Sequence, residues 1–333
     1  MGLLVNGQWQ DQWYDTKRHG GRFERDQSRF RQRIGEGAFG AEAGRYHLYV
    51  SLACPWAHRT LIAHKLKGLD RVVSISSVHP LMLEHGWEYR QDPAFENPYY
   101  TLGDPLYNNR FHHQLYTRAQ PDYSGRVTVP VLWDRKHETI VNNESADILR
   151  IFNSAFSRLT ASTPDLYPKA LRPEIDAINE QVYASINNGV YRCGFATTQT
   201  AYQEAFDSLF EALDDLEARL GRQPYLTGSH LTEADWRLFT TLVRFDPVYH
   251  GHFKANLRRI VDYPNLSNYL RALYQMPGID QTIDFRHIKH HYYRSHATIN
   301  PTGIVPAGPL IELDSAHDRG RFAPAERFDS GTP

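Results

Sequence analysis

The stretch Ser51-Leu52-Ala53-Cys54-Pro55-Trp56-Ala57-His58-Arg59 joins what reads as a strand to what reads as a helix. Before it, Tyr46-His47-Leu48-Tyr49-Val50 has the aromatic and β-branched composition of a short strand. After it, Thr60-Leu61-Ile62-Ala63-His64-Lys65-Leu66-Lys67 predicts a helix, and Gly68 is placed to end it. Pro55 suits the first helical position, where its missing N–H is no loss. Cys54 then stands where unpaired N–H groups and the positive dipole end converge, which favours a thiolate over a thiol. Cysteines so placed have pKa values lowered to roughly 3.5–7.5. The plain alternative is a buried structural cysteine, since free cysteine is among the most buried residue types.

Position 57 narrows the chemistry. A Cys-X-X-Cys dithiol would carry its resolving cysteine there, and this chain has Ala57. The other cysteine, Cys193, is distant and lies in a segment that reads as helical. A mixed disulfide on Cys54 must therefore be resolved by an external thiol, and a monothiol on this scaffold points to glutathione.

Outward from this unit, Val72-Val73-Ser74-Ile75-Ser76-Ser77-Val78 predicts a second strand, parallel to the first in a βαβ unit. Residues 79–125 are irregular and too long for a simple connection, which marks them as functional. Val127-Thr128-Val129-Pro130-Val131-Leu132-Trp133-Asp134 reads as a strand interrupted by proline, with Thr139-Ile140-Val141 as its antiparallel edge partner. Residues 144–156 then predict a helix. Proline normally demotes a strand. A cis bond before Pro130 would turn the Val129 N–H and C=O toward a peptide ligand, and a trans proline at a sheet edge is the alternative.

Farther on, residues 158–168 crowd Ser, Thr, Pro and Asp together and read as a linker. Beyond it, 171–188, 200–220, 233–246, 266–276 and 279–294 show the three- and four-residue apolar spacing of helices. Thr232-Glu233-Ala234-Asp235 is a capping-box start with Asp in place of Glu. The domain plan is a polar, arginine-rich extension over 1–42, a thioredoxin-like domain over 43–157, the linker 158–168, an all-helical domain over 169–298, and a coil and tail over 299–333.

The bulk composition restricts the partners. The chain has 333 residues, with 37 Lys and Arg against 38 Asp and Glu, so no excess charge calls for nucleic acid or an anionic membrane. The alternation Arg22-Phe23 and Arg29-Phe30-Arg31 reads as surface packing. Two cysteines make no disulfide framework and suit a reducing compartment. The stretch Met1-Gly2-Leu3-Leu4-Val5-Asn6-Gly7-Gln8-Trp9 lacks the apolar core of a signal peptide. No run approaches the roughly 20 apolar residues that span a bilayer. The expectation is a cytoplasmic protein with no membrane partner.

A thioredoxin-like domain followed by an all-helical domain is the plan of the glutathione transferases. Cys54-Pro55-Trp56-Ala57-His58-Arg59, Val129-Pro130-Val131-Leu132-Trp133-Asp134 and Asn142-Asn143-Glu144-Ser145 resemble motifs of the Xi class, the glutathionyl-hydroquinone reductases. So do Asn187-Asn188-Gly189-Val190-Tyr191-Arg192 and Ile288-Lys289-His290-His291-Tyr292-Tyr293-Arg294-Ser295-His296, followed by Ile299-Asn300-Pro301. The resemblance covers nearly the whole chain. It implies the glutathione transferase fold, an α/β thioredoxin-like N-terminal domain plus an all-α C-terminal domain. It also implies glutathione as co-substrate and a homodimer.

The resemblance assigns roles residue by residue. Cys54 is the nucleophile that attacks the sulfur of a glutathione thioether. Trp87 contacts glutathione through its indole, and Arg126, Val127, Thr128 and Val129 form a contact segment. There Arg126 would pair with a carboxylate of the peptide, and Val129 would bond its cysteinyl backbone as an added strand. Glu144 would take the ligand's ammonium, with Ser145 and the helix N–H groups on its γ-glutamyl carboxylate. Tyr191 resembles the proton donor and acceptor for the quinol ring, while Tyr249 and Tyr292 resemble tyrosines bonding toward sulfur. The adjacent Tyr293 leaves the choice within that pair open. Without these motifs, Arg126 reads as a solvated charge, Glu144 and Ser145 as a helix cap, and the tyrosines as core.

The implied reaction is reduction of glutathionyl-hydroquinones through a Cys54–glutathione mixed disulfide, releasing oxidised glutathione. The rivals are an Omega-like thiol transferase or dehydroascorbate reductase, and a non-catalytic transferase-like binding protein. A conjugating transferase fits poorly, since it needs Tyr or Ser beside glutathione's own thiol. His287 and His291 have the i, i+4 spacing of a zinc pair. No HExxH pattern supplies a base and the cysteines lie elsewhere, so no metal is expected.

Overall fold

The computed structural model describes residues 2–161 and 163–322. The chain divides into two compact units: residues 1–13, 26–163 and 281–295 form the first, and residues 14–25, 164–280 and 296–333 the second. This division splits the 1–42 extension between both units and takes 281–295 out of the helical set.

The first unit opens with two short strands, β1 (Leu3–Val5) and β2 (Gln8–Gln10), joined by a tight turn. The decisive stretch follows its expected course. Strand β3 (Tyr46–Val50) leads to helix α1 (Pro55–Leu66) and on to strand β4 (Val73–Ser77), which runs parallel to β3 with Tyr46 opposite Val73. Pro55 opens α1, and Gly68 ends it at φ +62°, a left-handed conformation that favours glycine. Helix α1 is buried on nearly every side, so its polar residues need internal partners. His58 pairs with Thr282 Oγ1 at 2.8 Å, and His64 Nε2 donates to the Val73 carbonyl at 2.8 Å.

The segment read as irregular carries more order than expected. It holds the hairpin β5 (Met82–Leu83) and β6 (Gly86–Trp87), strand β7 (Thr101–Leu102), helix α2 (His113–Ala119) and strand β8 (Gly125–Arg126). Strand β8 pairs with β1, so the start of the chain is stitched to the segment before Val127. The proline-interrupted strand begins only at Val131: β9 covers Val131–Asp134 and pairs antiparallel with β10 (Thr139–Asn142). Its expected first half is no strand because side chains take the Thr128 N–H and C=O, and proline has no N–H. The bond before Pro130 is cis. The main sheet has the order β10-β9-β3-β4-β7, and α3 (Ser145–Ser154) packs with α1. Helix α3 starts at Ser145 because the side chain of Glu144 caps it, and it ends at Ser154, two residues short of 156. The unit also contains a late helix, read at sequence level as part of the helical domain.

In the second unit, α4 (Arg172–Gln181) runs through a wide turn at Val182–Asn187 into α5 (Gly189–Gly194). Then come α6 (Gln199–Leu220), α7 (Glu233–Arg244) and α8 (Pro264–Tyr274). Thr232 and Asp235 form the expected capping box, and Tyr269 donates to Asp235 at 2.8 Å. The late helix of the first unit is α9 (Phe285–Ser295), held there by the bonds of His287 Nε2 to Phe95 O and His291 Nδ1 to Pro80 O, at 2.8 and 2.9 Å. Among the described residues, no helix is long and apolar enough to cross a membrane.

Candidate active site

Cys54 is the N-cap of α1, in extended conformation, and the helical ladder begins with His58 N–H donating to the Cys54 carbonyl at 3.0 Å. The N–H dipoles of the first turn therefore point to the Cys54 end. The thiol Sγ lies 3.7 Å from the Val129 carbonyl oxygen, its acceptor. Cys54 is buried to 9% exposure and shares one cluster with Trp87, Val127 and Val129. Cys193 is a different case, since burial pushes its thiol up to about 12.

The carbonyl facing sulfur belongs to a segment fixed by residues that sequence reasoning missed. Tyr116 on α2 donates its phenol to Thr128 O at 2.8 Å and accepts the Thr128 N–H at 3.2 Å. Asn143 Nδ2 also donates to that phenol, at 3.2 Å. His112, just before α2, donates Nε2–H to Thr128 O at 3.0 Å. A carbonyl can only accept, so His112 Nδ1 is left to accept from Tyr89 OH at 2.6 Å. The signal was a histidine and a tyrosine four residues apart, which share one helix face, hidden in a segment without clear apolar periodicity.

His112 yields a stability prediction. It is fully buried, and burial holds its imidazole down at about 4. The unfolded chain takes a proton near the ordinary value of about 6.5, so the stabilisation is complete above that pH and is lost on acidification toward 4. Over that window the loss amounts to roughly 3 kcal/mol. Denaturant unfolding from pH 7 to pH 4 should show His112→Gln losing less stability than the native chain. Parallel acid limbs in the two proteins would reject the assignment.

The other sequence-level site residues fall into three places. Trp87 is buried on β6 and stacks on His291, with ring centroids 4.9 Å apart and planes at 23°. Tyr292, also buried, meets the same histidine at 5.1 Å, whereas Tyr293 is half-buried and burial raises its phenol. Glu144 caps α3 by accepting from Ala146 N–H at 3.2 Å, and it also accepts from Ser28 Oγ at 3.1 Å. Ser145 Oγ lies 3.4 Å from Arg59 Nη1 and from Glu144 Oε1. Arg126 bonds the carbonyls of Gln12 and Trp13 and, at 3.2 Å, the carboxylate of Asp26, so it is no solvated loop charge.

Tyr191 on α5 and Tyr249 in the Phe245–Tyr249 turn belong to the second unit, with centroids 6.1 Å apart. Phe253 packs on both, at 5.5 and 5.4 Å. The two tyrosines are brought together there, while Cys54, Trp87 and Val129 are brought together in the first unit. His287 and His291 each direct a nitrogen to a backbone carbonyl, Phe95 O and Pro80 O respectively. Among the described residues, no group of three His, Cys, Asp or Glu could hold a metal ion.

A thioredoxin-like sheet with a cysteine at its first helix, followed by an all-helical unit, is the architecture of a glutathione transferase. The profile described as "Glutathione S-transferase, N-terminal domain" matches residues 53–155, and the one described as "Glutathione S-transferase, C-terminal domain" matches residues 199–272. Glutathionyl-hydroquinone reductase YqjG of Escherichia coli K12 is 57% identical over 328 residues, covering 96% of this chain and 98% of its own. Glutathionyl-hydroquinone reductase PcpF of Sphingobium chlorophenolicum is 54% identical over 313 residues, covering 94% and 98%. The glutathione-bound structure of the Escherichia coli protein superimposes with a TM-score of 0.86 at 54% identity, over 96% of this chain and 100% of that one. The Xi glutathione transferase of Phanerochaete chrysosporium gives a TM-score of 0.84 at 51% identity, over 89% and 100%. The chain belongs to the glutathione S-transferase family, in its Xi class.

Proposed function

We propose that this chain reduces glutathionyl-hydroquinones to hydroquinones with glutathione as reductant. The observation that carries the reading is a single cysteine at the α1 N-terminus, facing the Val129 carbonyl, with alanine where a resolving cysteine would stand.

Glutathione lies along the 126–129 segment. No hydrogen bond to the Val129 N–H is formed among the described residues, which supports reading it as the donor to a backbone added as a strand. The ligand's carboxylate replaces the exposed carboxylate of Asp26 on Arg126. Glu144 accepts the ammonium, and Ser145 with the first turn of α3 binds the neighbouring carboxylate. Val127 and Thr128 shape the segment, and Trp87 flanks the peptide.

Chemistry begins on the quinol. Tyr191 delivers a proton to the ring carbon that bears sulfur while the ring O–H gives one up to water, which produces the keto tautomer and a Tyr191 phenolate that water later reprotonates. The Cys54 thiolate attacks the glutathione sulfur and the carbon–sulfur bond breaks. Its electron pair returns to the ring as an enolate, which takes a proton to give the hydroquinone. Tyr292, in the same unit as Cys54, donates a hydrogen bond toward sulfur. A second glutathione, as thiolate, attacks the mixed disulfide and releases oxidised glutathione and the Cys54 thiolate.

Oxidised glutathione should run the last step backwards. Incubating the protein with it, followed by intact-mass analysis and peptide mapping, should show one glutathione per chain, on Cys54. An unmodified Cys54, or an adduct confined to Cys193, would overturn the proposal.

A further inference from the structure

The segment 14–25, remote in sequence from the helical domain, belongs to the second unit and brings a cation onto the proposed proton donor. The Arg25 guanidinium carbon lies 5.1 Å from the centroid of the Tyr191 ring and 5.4 Å from that of Phe23. Its Nε donates to Asn188 Oδ1 at 3.3 Å. Asn188 is the N-cap of α5, the helix that carries Tyr191. One end of the guanidinium system is thus tied to the helix while its face covers the phenol.

Four aromatic rings pack around Tyr191. Phe23, Phe195, Phe253 and Tyr249 surround the ring at 6.3, 6.1, 5.5 and 6.1 Å. One ring farther out, His252 and His296 share a hydrogen bond of 3.1 Å, and burial holds His252 down at about 4, so it is uncharged at neutral pH. On α5 itself the neighbours are Arg192 and Cys193, the latter a neutral thiol. Arg25 therefore sets its charge against the face of a half-buried phenol ringed by aromatic side chains.

A phenolate spreads its charge into the ring, and a cation at the ring face stabilises that anion more than the neutral phenol. Arginine suits the task because it stays charged and stacks flat on aromatic faces. We propose that Arg25 is a positioning residue: it orients the Tyr191 ring and stabilises the phenolate left when Tyr191 gives its proton to the quinol carbon. The assignment rests on the proton-donor reading of Tyr191.

The full-length protein and its Arg25→Gln, Arg25→Lys and Tyr191→Phe variants are titrated by near-ultraviolet tyrosinate absorbance, with folding checked by circular dichroism. Subtracting the Tyr191→Phe curve isolates the Tyr191 phenol among the 20 tyrosines. In Arg25→Gln its inflection should rise by about one pH unit, a tenfold loss of phenolate at a given pH. In the same variant, kcat on a glutathionyl-hydroquinone should fall about three- to tenfold with KM nearly constant. Arg25→Lys should restore part of both. An unshifted inflection in folded Arg25→Gln, with Tyr191→Phe impaired, would overturn the Arg25 proposal alone. Wild-type turnover by Tyr191→Phe would overturn the proton-donor reading, and Arg25 would fall with it.

Discussion

Cys54→Ala is expected to lose at least about 10⁴-fold in kcat on a glutathionyl-hydroquinone, because removing a nucleophile leaves only binding and electrostatics to act. The fold should survive. Cys54 has a small side chain whose sulfur makes a long contact of 3.7 Å to Val129 O, and alanine keeps the backbone that starts α1. A stability change of about 1 kcal/mol is the expected scale. Cys193→Ala is the control, since that thiol is buried in the helical unit and should leave turnover near the native rate. Steady-state assays of the two variants, with denaturant unfolding in parallel, separate the cases. Appreciable turnover by Cys54→Ala would remove the mixed disulfide from the mechanism.

Tyr191→Phe is expected to lose roughly 10²- to 10⁴-fold on a glutathionyl-hydroquinone, the usual scale for a positioned acid–base group. On a small glutathione mixed disulfide the same variant should remain close to native. Breaking a carbon–sulfur bond requires a proton on the ring carbon, whereas a disulfide already has a thiolate as its leaving group. Phenylalanine keeps the ring that packs between Phe23 and Phe253, so the phenol oxygen is the only loss. Rates on the two substrates, measured side by side, decide between a quinol reductase and a general thiol transferase. An equal loss on both would assign Tyr191 a structural role.

Residues close together in the chain carried the sequence reading. An aromatic strand, Cys-Pro and a helix ending at Gly68 specify β3, α1 and their order through propensity and chain geometry alone. The parallel β4 follows because a strand, helix and strand of this length close in one direction. The Thr232–Asp235 box was visible for the same reason, its bonds spanning three residues. Motif resemblance placed the family, and comparison along nearly the full chain agrees.

Folding in three dimensions settled where distant polar groups go. Arg126 reaches the carbonyls of residues 12 and 13, more than a hundred positions earlier, and Arg25 bonds Asn188, 163 positions later. Nothing in the sequence distinguishes such an arginine from a solvated one, since both carry the same charge and follow no periodicity. Tyr116 and His112 likewise capture Thr128 only once α2 docks, and that capture starts β9 at Val131. Short-range geometry is written in neighbouring residues. Contacts closed by the fold depend on which chain segments meet, and local composition does not record that.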